Sequence, residues 1–205
     1  MAQISNASLD QLFDGQPLMA ILRGFGVERS VALARTAWEL GIDSVEVPIQ
    51  SDEDVEALRA VVAAGKELGK SVGAGTVVTL EHVRQAADAG AAFTVSPGFD
   101  LDVVRASFEA GMPPLPGVAS ATEVQTAQAA GLTWVKAFPA SLLGTSWFGA
   151  MRGPFPAMRF VATGGMDAGN AGEYLTAGAK VVAVGSALAD ETQLPRLAEL
   201  LAARN

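Results

Sequence analysis

Residues 69–90 read GKSVGAGTVVTLEHVRQAADAG, residues 91–111 read AAFTVSPGFDLDVVRASFEAG, and residues 112–131 read MPPLPGVASATEVQTAQAAG. Each stretch opens on a short strand-like run and continues through an alanine-rich segment to a glycine. Gly69, Gly90, Gly111 and Gly131 thus recur about every 20 residues, near the length of one compact strand-plus-helix unit. A glycine just past a last helical turn can take the left-handed conformation that satisfies orphan carbonyls.

The same unit continues outward in both directions. Apolar or β-branched runs at 18–22, 44–48, 71–74, 93–96, 114–116, 134–138, 160–163 and 181–184 predict eight strands. Helices are predicted between them, over 27–40, 52–68, 80–89, 101–110, 121–130 and 168–177. The first 15 residues read as a short leading helix or arm. Strands alternating with helices argue for a parallel sheet, either open and doubly wound or closed into a barrel. Dividing 205 residues by eight gives roughly 26 per unit, at the small end for a barrel. No nucleotide fingerprint follows the first strand, because Arg23-Gly24-Phe25-Gly26 lacks the third glycine at the required offset. The expected architecture is α/β, a (β/α)8 TIM barrel, with one domain over residues 1–205 and no linker.

Composition narrows the chemistry. Apolar residues make up 50% of the chain, which excludes general disorder. Charged residues are only 18%, a composition that fits burial of some surface in an oligomer. The net charge of −8 argues against nucleic-acid binding, which needs a basic face to displace counterions. The absence of cysteine excludes disulfides, thiolate zinc sites and cysteine nucleophiles. A single histidine, His82, excludes a multi-histidine metal centre and argues against a Ser-His-Asp relay. His82 itself reads as a surface residue early in a helix. No secretory signal and no stretch of about 18 apolar residues is present. The sequence reads as that of a soluble cytoplasmic protein.

In such barrels the reactive groups sit at the carboxyl ends of the strands. Those positions hold Arg23, Glu46, Gln50, Thr76, Pro97, Ser120, Lys136, Thr163-Gly164-Gly165 and Gly185-Ser186. Of four lysines, only Lys136 falls inside a predicted strand, in Trp134-Val135-Lys136-Ala137-Phe138. A barrel strand has no solvated face, and a buried ammonium is relieved by a lowered pKa. A partly neutral amine is a nucleophile that forms a Schiff base with a carbonyl. Glu46 lies in a second apolar strand, Val45-Glu46-Val47-Pro48, and could pair with the lysine or relay protons. Arg23 ends the first strand and could hold a carboxylate or phosphate through two parallel hydrogen bonds. The glycines after strands seven and eight could admit an anion to backbone N–H groups, the usual phosphate position of this architecture.

The segments Ala20-Ile21-Leu22-Arg23-Gly24, Val45-Glu46-Val47-Pro48-Ile49-Gln50-Ser51 and Gly73-Ala74-Gly75-Thr76-Val77 form an ordered series with those that follow. They are joined by Ser96-Pro97-Gly98, Leu115-Pro116-Gly117-Val118, Val135-Lys136-Ala137-Phe138-Pro139-Ala140, Ala162-Thr163-Gly164-Gly165-Met166 and Val184-Gly185-Ser186. In this order, from about Pro17 to about Leu188, the chain resembles the 2-keto-3-deoxy-6-phosphogluconate and 6-phosphogalactonate aldolases. The resemblance implies class I aldolase chemistry on a (β/α)8 barrel, a homotrimer, and neither metal nor organic cofactor. It makes Lys136 the Schiff-base lysine and Glu46 the general acid/base. Thr76 would help hold the pyruvate carboxylate, and Pro97 and Phe138 would wall the pyruvyl group. Thr163, Gly164, Gly165, Gly185 and Ser186 would receive the phosphate or the far end of the sugar acid.

The gluconate-type enzymes commonly carry arginine four residues after the glutamate, where this chain has Gln50. The galactonate type has a small amide there and an arginine like Arg23 after the first strand. The resemblance therefore leans to the galactonate type, with Arg23 supplying the carboxylate's charge. The implied partners are a sugar-acid phosphate and pyruvate, with no nucleic acid and no membrane.

Two other readings use the same residues. A sugar-phosphate isomerase or epimerase would take Glu46 as base and Lys136 as electrostatic stabiliser, with no covalent step. A non-catalytic phosphate-ligand binding protein would use the glycine loops alone, but has little use for a lysine and a glutamate on inner faces.

Overall fold

In the computed structural model, which describes residues 4–203, the repeat becomes an alternation of parallel strands and helices. The chain runs through α1 (Leu9–Leu12), β1 (Leu18–Ile21), α2 (Gly26–Leu40), β2 (Val45–Pro48), α3 (Asp52–Glu67), β3 (Val72–Gly75) and α4 (Leu80–Asp88). It continues through β4 (Thr94–Val95), α5 (Leu101–Glu109), β5 (Pro114–Leu115), β6 (Gly117–Val118), α6 (Ala121–Ala129) and β7 (Trp134–Ala137). The last part holds α7 (Ala140–Leu143), α8 (Thr145–Arg152), β8 (Arg159–Thr163), α9 (Ala171–Ala177), β9 (Val181–Val184), a 3-10 turn (Ser186–Ala189) and α10 (Leu194–Ala202).

Neighbouring strands are all parallel, in the order β5-β4-β3-β2-β1-β9-β8-β7-β6. The two ends of that order, β5 and β6, are halves of one extended segment separated only by Pro116. Proline has no N–H to give a ladder, but the Pro116 carbonyl still accepts from Lys136 N at 2.8 Å. The sheet's two ends therefore meet, and the expected barrel of eight strand positions closes.

Alternation along each strand sorts side chains to two cores. Met19, Ile21, Phe93, Val95, Leu115, Trp134, Val161, Val181 and Ala183 fill the barrel interior, together with Leu9 and Phe13. Their neighbours, such as Ala20, Val45, Val47, Val135 and Ala137, pack outward against the helices. Helix α1 thus places Leu9 and its following Phe13 within the interior cluster. Just before it, Asn6 is fully buried. Its Nδ2 donates to the Pro114 and Trp134 carbonyls, both at 2.8 Å, and its Oδ1 accepts from Thr133 N at 2.9 Å. This one amide ties the leading segment to β5, just before the Pro116 interruption, and to the start of β7.

Most predicted elements agree with the structure to within a residue or two, and the glycines after six helices (41, 69, 90, 111, 131 and 178) all have φ between 67° and 117°. Four differences have physical causes. The predicted strand 114–116 is cut at Pro116 and extends to Val118. The predicted helix 168–177 begins only at Ala171, because the Asp167 carboxylate accepts from Gly169 N and Asn170 N and holds a turn there. Helices α7 and α8 follow a proline-led turn that interrupts the helical pattern. Helix α10 starts where Pro195 fits the first helical turn.

Candidate active site

Two ionisable side chains share the upper interior of the barrel. Glu46 sits between outward-facing Val45 and Val47, and Lys136 between outward-facing Val135 and Ala137, so strand alternation sends both inward. Glu46 is 0% exposed and Lys136 is 3% exposed. Neither carboxylate oxygen of Glu46 has a hydrogen-bond partner in the protein. Glu46 has room because Gly75 faces it from β3: a Cβ there would stand 2.7 Å from Glu46 Oε1.

Burial raises the Glu46 pKa, against the pull of the Lys136 and Arg23 charges. Burial lowers the Lys136 pKa, against the opposing field of Glu46 and with the help of Arg23. In both groups desolvation outweighs the charge partner, so both are driven toward their neutral forms. The aromatic face of Phe138 lies beside the amine, its centroid 5.0 Å from Nζ.

Lys136 opens onto a cleft of about 460 Å³ at the carboxyl end of the barrel. Arg23, Phe138, Thr163, Gly164, Gly165, Gly185 and Ser186 line the same cleft. Thr163 Oγ1 is buried with no hydrogen-bond partner in the protein. The backbone is drawn tight around this wall. A Cβ on Gly165 would stand 2.5 Å from Ser141 Oγ, and φ there is +74°, so only glycine fits without displacement.

Arg23 gathers two further residues at the rim. Its Nη1 donates to Gln50 Oε1 and its Nη2 donates to Thr76 Oγ1 at 3.1 Å. Thr76 has φ of 58°, a left-handed conformation costly for a β-branched residue. The hydrogen bond to Arg23 ties the hydroxyl of this strained residue to the guanidinium.

Other expected positions lie elsewhere. Pro97 does not line the cleft; its carbonyl instead packs against Gly117, where a Cβ would come within 2.0 Å. Ser120 is the N-cap of α6, locked in a reciprocal capping box with Glu123. His82 lies on α4, its Nδ1 accepting from Val78 N at 3.3 Å. Beyond the expected positions, five residues line the cleft: Ile21, Phe25, Met166, Asp167 and Ala183. Ile21 and Ala183 belong to predicted strands, and the other three adjoin the Arg23-Gly24 turn or the Thr163-Gly164-Gly165 turn. A hollow of equal size lies at the opposite end of the barrel, around Asp43 and Lys70, but those two pair with each other. It contains no buried ionisable group comparable to Lys136.

A family model described as KDPG and KHG aldolase matches residues 9–200. The chain belongs to this aldolase family. This aldolase is 43% identical over 150 residues to the 2-dehydro-3-deoxy-phosphogluconate aldolase of Treponema pallidum, covering 73% of the chain and 70% of that relative. It is 34% identical to the 2-dehydro-3-deoxy-6-phosphogalactonate aldolase of Escherichia coli, covering 84% of each chain. Among solved structures, the KDPG aldolase of Legionella pneumophila, with pyruvate captured as a covalent carbinolamine, superposes with a TM-score of 0.81 at 28% identity. That match covers 95% of this aldolase and 96% of the Legionella chain. Relatives of both substrate types are therefore present, and none of the described helices of this aldolase is long and apolar enough to cross a membrane.

Proposed function

We propose that this aldolase is of class I and cleaves a 2-keto-3-deoxy-6-phospho sugar acid, of the galactonate type, to pyruvate and glyceraldehyde 3-phosphate. The observation that carries the reading is a buried amine, its pKa lowered by desolvation, that opens onto the cleft beside a buried carboxyl group. The covalent carbinolamine of pyruvate in the Legionella relative supports the same chemistry.

The neutral Lys136 amine attacks C2 of the keto acid, and a proton shift gives a neutral carbinolamine. Glu46, held toward its acid form, protonates the departing hydroxyl; water leaves and an iminium remains. The Glu46 carboxylate then takes the C4 hydroxyl proton. The C4–O bond becomes a carbonyl, the C3–C4 bond breaks, and its electron pair forms an enamine. Glyceraldehyde 3-phosphate departs. Glu46 returns its proton to C3, then takes one from the water that attacks the pyruvyl iminium. Collapse of that carbinolamine releases pyruvate and restores the amine and the acid. Each proton lost by Glu46 is regained within the cycle.

Arg23, with Gln50 and Thr76, would receive the C1 carboxylate, while Thr163, Gly164, Gly165, Gly185 and Ser186 would meet the far end. Pro97 and Phe138 would wall the pyruvyl group. The galactonate lean rests on the Arg23–Gln50 pairing, which puts a guanidinium beside a neutral amide at the rim. A single-domain chain, a homotrimeric assembly, a cytoplasmic setting and independence of metal or organic cofactor complete the proposal.

The test is pyruvate release from both epimeric acids, each with and without the 6-phosphate. Preferential release from the galactonate-type acid supports the reading. Preference for the gluconate type overturns the lean. Absence of pyruvate from all four overturns the aldolase assignment of substrate.

A further inference from the structure

Asp167 is a charge that the proposed reaction does not use. It follows the Thr163-Gly164-Gly165 turn and lines the cleft with Gly165, Gly185 and Ser186. Its Oδ1 accepts from Gly169 N at 2.8 Å and from Asn170 N at 3.0 Å. Asn170 returns the contact, its Oδ1 accepting from Asp167 N at 3.1 Å and its Nδ2 donating to the Gly165 carbonyl at 2.9 Å. The carboxylate is therefore fixed in place. No cation pairs with it among the described residues.

The lining of the cleft thus carries charges of both signs. Arg23, bound to Gln50 and Thr76, supplies a positive charge. Asp167 supplies a negative one, beside the glycine turns. Those turns offer N–H groups and hydroxyls, yet no lysine or arginine apart from Arg23 and Lys136 lines the cleft. The two N–H groups just ahead of α9, those of Gly169 and Asn170, already donate to the Asp167 carboxylate.

We infer that Asp167 sets the charge selectivity of the cleft's far end, weakening the hold on a dianionic 6-phosphate and admitting the uncharged 6-hydroxyl of the unphosphorylated sugar acid. This inference rests on the aldolase reading and adds to it a residue that grades substrates by terminal charge. The same field favours binding the substrate carboxylate toward Arg23 rather than toward Asp167, so Asp167 also opposes backward binding.

The test compares kcat/KM for the phosphorylated and the unphosphorylated form of the better-cleaved epimer. Asp167→Asn keeps the capping acceptor and removes the charge. Asp167→Ser serves as a second neutral variant that can cap the same turn. A unit charge about 4–12 Å from a dianion alters binding by roughly three- to thirtyfold at the dielectric constant of water, the value that suits an exposed carboxylate. Both variants are therefore expected to raise the phosphorylated-to-unphosphorylated ratio by roughly that factor. The gain is expected to shrink as salt is added, because mobile ions screen the interaction; a purely structural role would not respond to salt in this way. A ratio unchanged in both variants, or changed independently of salt, overturns the inference while leaving the aldolase reading intact. Failure of the unsubstituted protein to cleave any of the acids overturns both.

Discussion

A methyl group on Gly75 would stand 2.7 Å from Glu46 Oε1, closer than non-bonded atoms approach. The missing side chain on β3 is what gives the buried carboxyl group its place on β2. Gly75→Ala is expected to displace Glu46 and to cost about 1–3 kcal/mol in stability, as overpacking does. Turnover is expected to fall with it. Thermal unfolding and steady-state pyruvate release on the same variant check both; unchanged turnover would mean that the position of Glu46 does not matter.

Glu46→Gln removes the group assigned the proton transfers while preserving shape. Positioned acid–base catalysis contributes typically about 10²–10⁴-fold, so turnover is expected to fall within that range. The variant also has a signature in pH. The Glu46 charge raises the Lys136 pKa, opposing the larger effect of burial. Its removal is expected to lower that pKa further and move the acid limb of pyruvate–imine formation to lower pH. Rates of adduct formation measured across pH check the direction; a shift to higher pH would contradict it.

Lys136→Met tests the desolvation balance apart from catalysis. A lysine whose folded pKa is depressed opposes folding below that pKa, and the penalty fades as pH rises toward the unfolded value. Glu46, with a raised pKa, opposes folding above that pKa, and its penalty fades as pH falls toward the unfolded value. No salt bridge joins the two side chains. Removing the amine therefore leaves Glu46 free to take its neutral form. Lys136→Met is expected to be at least as stable as the unsubstituted protein at neutral pH in thermal unfolding. A large loss of stability would indicate a tight buried ion pair instead.

Asn6→Ala is expected to destabilise by about 2–4 kcal/mol, because it leaves the Pro114 and Trp134 carbonyls and Thr133 N without their buried partner. Chemical denaturation checks the magnitude. A loss under about 0.5 kcal/mol, the scale of an ordinary surface change, would contradict the role of this amide in fastening the interrupted strand.

Asn6 also marks where sequence reading stops. The barrel was legible because strands covered on both faces leave continuous apolar runs, and Lys136 and Glu46 stood out as charges within such runs. Asn6 sits in an arm with no periodicity, so nothing in the sequence distinguished it from a solvated residue. Pro116 ends a strand-like run in the sequence, yet its carbonyl still serves the ladder after its missing N–H has cut it. Ser120 had the right position along the chain but caps α6, because side-chain direction in a loop follows local turns rather than a strand's period of two. Phe25, Met166 and Asp167 entered the cleft for the same reason. The capping box at Ser120 and Glu123 was visible in principle, since a serine followed three residues later by glutamate is the signature of a helix start.

The central claim is the covalent chemistry of one buried amine. Incubation with pyruvate, reduction with borohydride and peptide mass mapping test it directly. The expected result is a single reduced pyruvyl adduct on Lys136, absent from Lys136→Met. Sustained pyruvate release with no trappable adduct, or an adduct confined to another lysine, would contradict it.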